Sequence, residues 1–330
     1  MTVQTIHWGI LGVANIAVKA VIPAIQHAAN GSLDAIASRT AAKAQEAARG
    51  LGIARAHGSY EALLADPAID AIYIPLPNSL HREWTIRCAE AGKHVLCEKP
   101  LAPTAAECTE MIAACHEHRV TLMEAFMYRF HPRTERVARA VADGALGEVR
   151  LVRAAFTFQI SNPRNIRLQP ALAGGALYDV GCYAVNVSRM ILGEPEGVFA
   201  CGRIGEHGVD DQLGGVLTYP GGRMALIDCG LALARRQTYE VVGTDARLSV
   251  PLAFLPGTAD AEWHLTRGAD RSTEVIPGVD QYQLMIEHFG RAAGSGARPA
   301  LPPEDAVGTL RVIEALHRSL RSGRREPVGR

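Results

Sequence analysis

The sequence predicts an α/β protein with two domains. The first is a doubly wound parallel sheet, and the second is an α/β domain with an open, mostly antiparallel sheet. Two observations support this division. Short apolar strands alternate with helical segments up to about residue 125, whereas β-branched and aromatic runs separated by Gly and Pro turns dominate from Val149 onwards. With 330 residues, the chain is long enough for two full cores. We place the domains at residues 1–125 and 126–330, and the C-terminal helices are free to pack on either.

In the first domain, buried strands are predicted from short apolar runs and helices from residues with high helix propensity. The expected strands are Ile6–Leu11, Leu33–Thr40, Ala71–Pro75, Lys93–Cys97 and Thr121–Phe126, of which the last is counted as the sixth strand of the sheet. The expected helices are Asn15–Ala29, kinked at Pro23 and closed by Gly31, then Ala41–Leu51, Tyr60–Leu64, Arg82–Ala91 and Thr104–Arg119. A further helix, Pro132–Asp143, is expected just beyond the boundary, at the start of the second domain.

The turn after the first strand has the spacing of a dinucleotide-binding turn. Gly12, Ala14 and Ala17 occupy the three small-residue positions, so the backbone of Gly12, Ala14, Asn15 and Ile16 can approach a pyrophosphate at the start of the helix. Alanines stand at two positions where glycine is usual, and an ordinary strand-to-helix turn is the alternative interpretation.

The second strand ends in Ser38-Arg39 rather than in an acidic residue. A carboxylate at this point binds the ribose hydroxyls of NAD, whereas a hydroxyl and a guanidinium favour the 2′-phosphate of NADP. The sequence therefore predicts NADP, with NAD less favoured. The alternative for Arg39 is a solvated surface charge.

Polar residues also follow two later strands, where ligands bind in an open parallel sheet. Leu76, Asn78 and His81 follow the strand at 71–75, and for each polar residue taken alone a turn or capping role is favoured over ligand binding. Glu98 and Lys99 precede Pro100 at the end of the next strand. A partly desolvated Lys99 can relay a proton or bind a substrate hydroxyl, and the alternative is a structural ion pair.

The second domain contains a predicted sheet that one helical segment interrupts. The expected strands are Val149–Ile160, Val198–Arg203, Leu213–Tyr219, Arg223–Leu231, Gln237–Val242, Arg247–Val250, Trp263–Thr266 and Ser272–Ile276. Apolar residues on both faces predict a homodimer or homotetramer built through this sheet. Helices are expected at Gln281–Ala293 and Pro303–Arg321, followed by a loose polar tail from Ser322.

The interrupting segment runs from Gly174-Gly175 into a helix that reaches about Leu192. Asp179 and Tyr183 are four residues apart and share a face of that helix. A carboxylate and a phenol so placed can bracket a polyol, one binding a hydroxyl and the other exchanging its proton. A surface pair on an ordinary helix is the alternative.

Composition excludes several classes of function. The charges of the 34 basic and 34 acidic residues cancel, so there is no basic excess that would favour binding to nucleic acid. The N-terminus lacks the pattern of a signal peptide, no apolar run reaches membrane-spanning length, and seven scattered cysteines indicate reduced thiols. We therefore expect a cytoplasmic protein that has no membrane segment and no metal site.

Taken together, four segments resemble the Gfo/Idh/MocA family, named for glucose-fructose oxidoreductase and inositol dehydrogenase. They are Gly9–Ala17, Glu98-Lys99-Pro100, Glu124–Pro132 and Gly174–Tyr183. The resemblance implies an N-terminal Rossmann domain and NAD(P)-dependent oxidation or reduction of sugars or polyols. It assigns the family lysine to Lys99, the substrate-binding aspartate to Asp179, and the acid/base residue, commonly His, to Tyr183.

With Tyr rather than His at position 183, the sequence resembles one branch of the family. This branch contains glucose-fructose oxidoreductase, NADP-dependent D-xylose dehydrogenases and dimeric dihydrodiol dehydrogenases. In this branch Tyr183, with Lys99 beside it, would take the hydroxyl proton as hydride leaves. Arg167 and Arg129 are weaker candidates for lining the crevice, and Arg167 is counted with Lys99, Asp179 and Tyr183 among the substrate-binding residues. The resemblance favours an aldose 1-dehydrogenase acting on D-xylose or D-glucose. The alternatives are a trans-dihydrodiol dehydrogenase, a keto-sugar reductase, or a non-catalytic regulator that binds a dinucleotide.

Overall fold

The fold is taken from a computed structural model whose described residues are 4–329; the outermost ends of the two predicted domains lie outside this range. The strands are β1 (Ile6–Leu11), β2 (Gly31–Ala37), β3 (Arg55–His57), β4 (Ala71–Ile74), β5 (His94–Cys97), β6 (Leu122–Glu124), β7 (Val149–Gln159), β8 (Gly197–Ile204), β9 (Asp210–Thr218), β10 (Met224–Gly230), β11 (Ala232–Gly243), β12 (Arg247–Pro251), β13 (Ala261–Arg267), β14 (Asp270–Ile276) and β15 (Glu326–Pro327). The α-helices are α1 (Ile22–His27), α2 (Ala41–Leu51), α3 (Tyr60–Leu64), α4 (His81–Glu90), α5 (Ala105–Glu117), α6 (Pro132–Ala142), α7 (Cys182–Leu192), α8 (Gln281–Ser295) and α9 (Glu304–Ser322).

These elements form two compact units. The first contains the chain up to Phe130 together with Asp280–Val307, and the second contains His131–Val279 together with the chain from Gly308 onwards. The first unit therefore includes α8, which comes from near the end of the sequence. Its Phe289 ring packs 5.1 Å from the ring of Trp8 in β1, and both side chains are fully buried.

The sheet of the first unit has six parallel strands in the order β3-β2-β1-β4-β5-β6. This order confirms the predicted doubly wound sheet. Sequence reasoning located five of the six strands. It missed β3 because the segment has only three residues, Arg55-Ala56-His57, and no apolar run marks it.

The helix after β1 differs from its prediction. It runs from Asn15 to His27 and contains a wider π-helical turn over Ala17–Val21, immediately before Pro23. Proline has no N–H group, and its ring collides with the carbonyl four residues earlier in an α-helix. The widened turn accommodates Pro23 where a kink was expected. Gly31 does not close the helix but begins β2.

The second unit is built on a nine-stranded sheet in the order β14-β13-β12-β11-β7-β10-β9-β8-β15. Every neighbouring pair is antiparallel except β7 and β10, which confirms the mostly antiparallel sheet. The prediction of a loose tail from Ser322 is wrong. Backbone groups of β15 in that tail pair with Val198 and Gly197 at the sheet edge.

The two faces of this sheet differ in burial. Along β10, Ala225, Ile227 and Cys229 are buried on the face against which α7 packs. On the opposite face, Met224 is 41% exposed and Phe199 of β8 is 43% exposed. The strand register places these two residues on one face with Val216 and Leu226. The outer face therefore carries an apolar patch, defined here as Phe199, Val216, Met224 and Leu226.

None of the helices placed within residues 4–329 is both long enough and apolar enough to cross a membrane.

Candidate functional site

The carboxyl edge of the parallel sheet carries the predicted dinucleotide turn. Gly12 follows β1 at φ +108°, and its N–H donates to the carbonyl of Ala37 at 3.0 Å. A Cβ at Gly12 would lie 3.3 Å from Leu76 and 3.4 Å from the Tyr60 hydroxyl, so only glycine fits this conformation without strain. Ala14, Asn15 and Ile16 follow at the start of the helix, where backbone N–H groups are available to a phosphate.

Ser38 and Arg39 lie directly beyond β2. Ser38 is buried, whereas Arg39 is exposed and forms no ion pair with any residue in the described range 4–329. The adjacent Thr40 accepts a hydrogen bond from the backbone N–H of Lys43 and so caps α2. An exposed guanidinium next to a hydroxyl matches the donor set that binds the 2′-phosphate of NADP. The residues present at this edge therefore fit NADP.

His81 connects the two loops that follow β4 and β5. Its side chain is completely buried, with Nε2 lying 2.8 Å from the carbonyl oxygen of Leu76 and Nδ1 lying 3.0 Å from that of Pro100. Burial lowers the pKa of His81, so the ring is neutral and its single N–H donates to one carbonyl at a time. We therefore assign His81 to positioning the loops rather than to direct cofactor contact. Asn78, predicted beside it, is half-buried in a 3-10 turn between β4 and α4.

Glu98 and Lys99 lie at the end of β5, and both are half-buried. The hydroxyl of the fully buried Tyr73 donates to Glu98 Oε1 at 2.6 Å. Burial, followed by the charge of Glu98, raises the pKa of Tyr73, so this tyrosine remains a donor. The Lys99–Pro100 peptide bond is cis. Arg129, one of the weaker candidates, lies 4.0 Å from the carboxylate of Asp305 in the same unit.

In the second unit, the helical segment that carries Asp179 and Tyr183 follows two glycines. It starts with a π-helical turn, Leu177–Gly181, and continues as α7. A Cβ at Gly174 would lie 2.5 Å from the carbonyl oxygen of Arg167, and the N–H of Gly175 donates to that same oxygen at 2.8 Å. The loop that carries Arg167 is thereby held against the start of the helix.

This arrangement brings Arg167 and Asp179 together. The guanidinium Nε of Arg167 lies 2.7 Å from Asp179 Oδ2, and the Asp179 side chain is only 12% exposed. A carboxylate in this position can accept a hydrogen bond from a hydroxyl. Asp179 lies in the π-helical turn, and Tyr183 follows four residues later in the first turn of α7.

Tyr183 is nearly fully buried among aromatic rings. The ring centroids of Phe254 and Phe156 lie 5.1 Å and 5.4 Å from that of Tyr183, and these two phenylalanines stack on each other at 5.6 Å. Packing of this kind fixes the direction of the phenol. Sequence reasoning did not find Phe254, which lies more than 70 positions away in the chain.

Two buried polar side chains hold the segment before and after Phe254. Arg133 donates from both terminal nitrogens to the carbonyls of Pro251, Leu252 and Ala253 at 2.8–3.0 Å. Gln237 Oε1 accepts from the backbone N–H of Leu255 at 2.7 Å. The segment that packs on Tyr183 is therefore held by Arg133 and Gln237, which are more than a hundred residues apart in the sequence. No local sequence pattern could predict this arrangement.

Within residues 4–329, no group of three or more His, Cys, Asp or Glu side chains is arranged to hold a metal ion.

Comparison with protein families identifies both parts of the chain. Residues 6–126 match the family described as "Oxidoreductase family, NAD-binding Rossmann fold", and residues 134–249 match the "GFO/IDH/MocA C-terminal domain".

Individual relatives cover most of the chain. It is 45% identical to D-xylose 1-dehydrogenase (NADP(+)) 2 of Haloferax volcanii, over 96% of this chain and 98% of that one. It is 37% identical to trans-1,2-dihydrobenzene-1,2-diol dehydrogenase of Xenopus tropicalis, over 74% of each. The crystal structure of a 3-ketoreductase from Actinomadura kijaniata in complex with NADP and TDP-benzene superposes with a TM-score of 0.91 at 33% identity, over 96% of this chain and 98% of that one.

The Arg133 contacts lead to a stability prediction. Replacing Arg133 with Lys keeps the charge but removes the planar fork, so buried carbonyls lose their donors, and we expect a loss of about 2–3 kcal/mol in the free energy of unfolding. Urea denaturation followed by circular dichroism measures this loss. Arg136→Lys, an exposed residue on the same helix paired with Glu274, is the matched control and should change little. Equal midpoints for the two variants would contradict the assignment.

Proposed function

The chain belongs to the Gfo/Idh/MocA family of oxidoreductases, and from this premise we propose that it is an NADP-dependent dehydrogenase acting on a sugar or polyol hydroxyl. One observation carries the proposal: a single helix presents Asp179, held by Arg167, and Tyr183, held by aromatic rings, one turn apart. Such a pair can bind one hydroxyl and exchange the proton of another.

Each catalytic residue has a distinct role in this proposal. When bound, NADP supplies the hydride acceptor. Tyr183 accepts the hydroxyl proton at its phenolic oxygen, and Asp179 accepts a hydrogen bond from a neighbouring hydroxyl with Arg167 supporting it. Because a free phenol has a pKa of about 10, a phenol is a weak base at neutral pH. The cationic Lys99 is therefore proposed to stabilise the phenolate and to donate to the reacting hydroxyl.

The cofactor is proposed to bind along the carboxyl edge of the parallel sheet. Backbone groups of Gly12, Ala14, Asn15 and Ile16 would hold the pyrophosphate, and Ser38 with Arg39 would hold the 2′-phosphate. The nicotinamide half would lie along the loops after β4 and β5, and their contributing residues are Leu76, Asn78, Glu98 and Lys99, with His81 setting the separation of the loops.

The substrate is proposed to be an aldose oxidised at C1, with D-xylose and D-glucose as first candidates. The similarity to a D-xylose 1-dehydrogenase over nearly the whole chain favours this class. Oxidation of a dihydrodiol and reduction of a keto sugar are the alternatives, favoured by the similarity to enzymes with those activities. Both alternatives use the same proton exchange at Tyr183.

We also propose that the protein forms a homo-oligomer and that it is located in the cytoplasm. The apolar patch on the outer face of the second sheet is proposed as the interface of a homodimer or homotetramer, because exposed Phe and Met side chains on one face of the sheet favour burial. A cytoplasmic location is proposed because all seven cysteines are free thiols, six of them buried.

Replacing Tyr183 with Phe tests the catalytic assignment. We expect the rate constant kcat to fall at least ~100-fold, because general acid–base catalysis is lost, while NADP binding persists. Initial rates of NADP reduction with an aldose measure the first quantity, and fluorescence titration measures the second. Tyr219→Phe is the control, since the buried Tyr219 hydroxyl has no hydrogen-bond partner among residues 4–329. Retention of full turnover by Tyr183→Phe would refute the assignment.

Replacing Arg39 with Ala tests the cofactor preference. We expect the Kd for NADP to rise about 10- to 100-fold because a charge-assisted contact with the 2′-phosphate is lost, whereas the Kd for NAD stays nearly constant. Titration calorimetry with both dinucleotides measures the effect. Arg49→Ala removes an exposed arginine from α2 and should alter neither affinity. An equal change in the affinities for NADP and NAD would show that Arg39 does not contact the 2′-phosphate.

Replacing Phe199 with Asp tests the proposed interface. A carboxylate within the apolar patch is costly to bury, so we expect a shift towards the monomer. Light scattering coupled to size-exclusion chromatography reports the molar mass. Leu252→Asp changes a similarly exposed apolar residue outside the patch and serves as the control. If Phe199→Asp has the same molar mass in solution as the wild type, the apolar patch is not the interface.

A further inference from the structure

The helical segment that carries Asp179 and Tyr183 begins at a residue that cannot cap it. Gly175 precedes the first helical residue and has no side chain to accept from the free N–H groups of the first turn. The cap comes instead from β9. Asp210 Oδ2 accepts from the N–H of Leu177 at 2.7 Å, which is the donor that an N-cap side chain ordinarily satisfies.

The glycine and the aspartate are matched in shape. A Cβ on Gly175 would lie only 2.2 Å from Asp210 Oδ1, and Gly175 has φ +126°. Any other residue at 175 would push the carboxylate away from the helix. The absence of a side chain at 175 is therefore what allows Asp210 to reach Leu177.

A second contact holds the other oxygen of this carboxylate. His317 Nε2 of α9 lies 3.5 Å from Asp210 Oδ1, and the ring of Tyr178 packs edge-on against the His317 ring at 5.1 Å. Asp210 is 4% exposed. These contacts leave the carboxylate little freedom to rotate, and they place a negative charge at the positive end of the helix.

We propose that Asp210 is a positioning residue for the reaction, acting as a helix cap supplied by β9 that sets the turn bearing Asp179 and the following turn bearing Tyr183. The inference rests on the proposed function, because it assumes that these two residues act on the substrate. Asp210 itself does not contact substrate; its loss would let the first turn of the helix fray and displace both side chains.

This role separates three substitutions. Asp210→Ala removes the acceptor and should lower kcat/KM for the sugar about 100-fold, the scale expected when reacting groups are misplaced by about 1 Å. Both a raised KM and a lowered kcat are expected, because binding and proton exchange depend on the same turn. Asp210→Asn keeps an acceptor oxygen and should recover most of the activity, since Asn caps helices as well as Asp does. Asp211→Ala removes the neighbouring carboxylate, which pairs with Arg203, and should have no effect.

The experiment compares steady-state kinetics and NADP titration for the four proteins, wild type included. The cofactor residues lie in the other unit, so the Kd for NADP should stay constant throughout. Full activity in Asp210→Ala, or an Asp210→Asn variant as impaired as Asp210→Ala, would overturn the inference. Failure of the proposed function is distinguishable, because it appears as unchanged turnover in Tyr183→Phe.

A measurement on the wild-type protein covers the case in which Asp210→Ala does not fold. Hydrogen exchange of short peptides spanning residues 176–178 reports the protection of the Leu177 amide. A capped amide should exchange as slowly as the amides in the middle of α7. Exchange at the rate of an unprotected amide would overturn the inference without any substitution.

Discussion

Close approach of glycine backbone to neighbouring groups is the constraint on which the candidate site depends. At Gly12, a positive φ and the nearness of Leu76 and Tyr60 shape the turn into the first helix. At Gly174 and Gly175, the missing Cβ atoms leave space for the Arg167 carbonyl and for the Asp210 carboxylate. In both units, backbone is brought to a place where a side chain would block a hydrogen bond or a ligand.

Around these turns, hydrogen bonds from buried polar side chains fix the positions of loops. His81 joins two loops of the first unit through backbone carbonyls, and Arg133 with Gln237 holds the segment that delivers Phe254 to Tyr183. Buried polar groups are costly unless their hydrogen bonds are satisfied, so each arrangement is specific once formed.

Local patterns in the sequence were enough to predict the sheets and most helices, including the helical segment that carries Asp179 and Tyr183. Strand runs and an interval of four residues are properties of neighbouring positions, and they can be read directly. The cap of Leu177 could not be read in this way, because its acceptor lies 33 residues further along the chain. The burial of His81 was missed for a related reason: two backbone carbonyls, not a nearby side chain, hold the ring. The strand β3 and the pairing of the tail were missed because each is only two or three residues long.

The most direct test of the account is whether the protein transfers hydride between a sugar or polyol and a nicotinamide. Absorbance of reduced nicotinamide would be followed for purified protein mixed with NADP, or separately NAD, and a panel of pentoses, hexoses, inositols and a cyclic diol. We expect the absorbance to rise with at least one aldose, and to rise faster with NADP than with NAD. If the absorbance does not change with any compound of the panel, although titration shows that the protein binds NADP, the proposal of an NADP-dependent sugar or polyol dehydrogenase is contradicted.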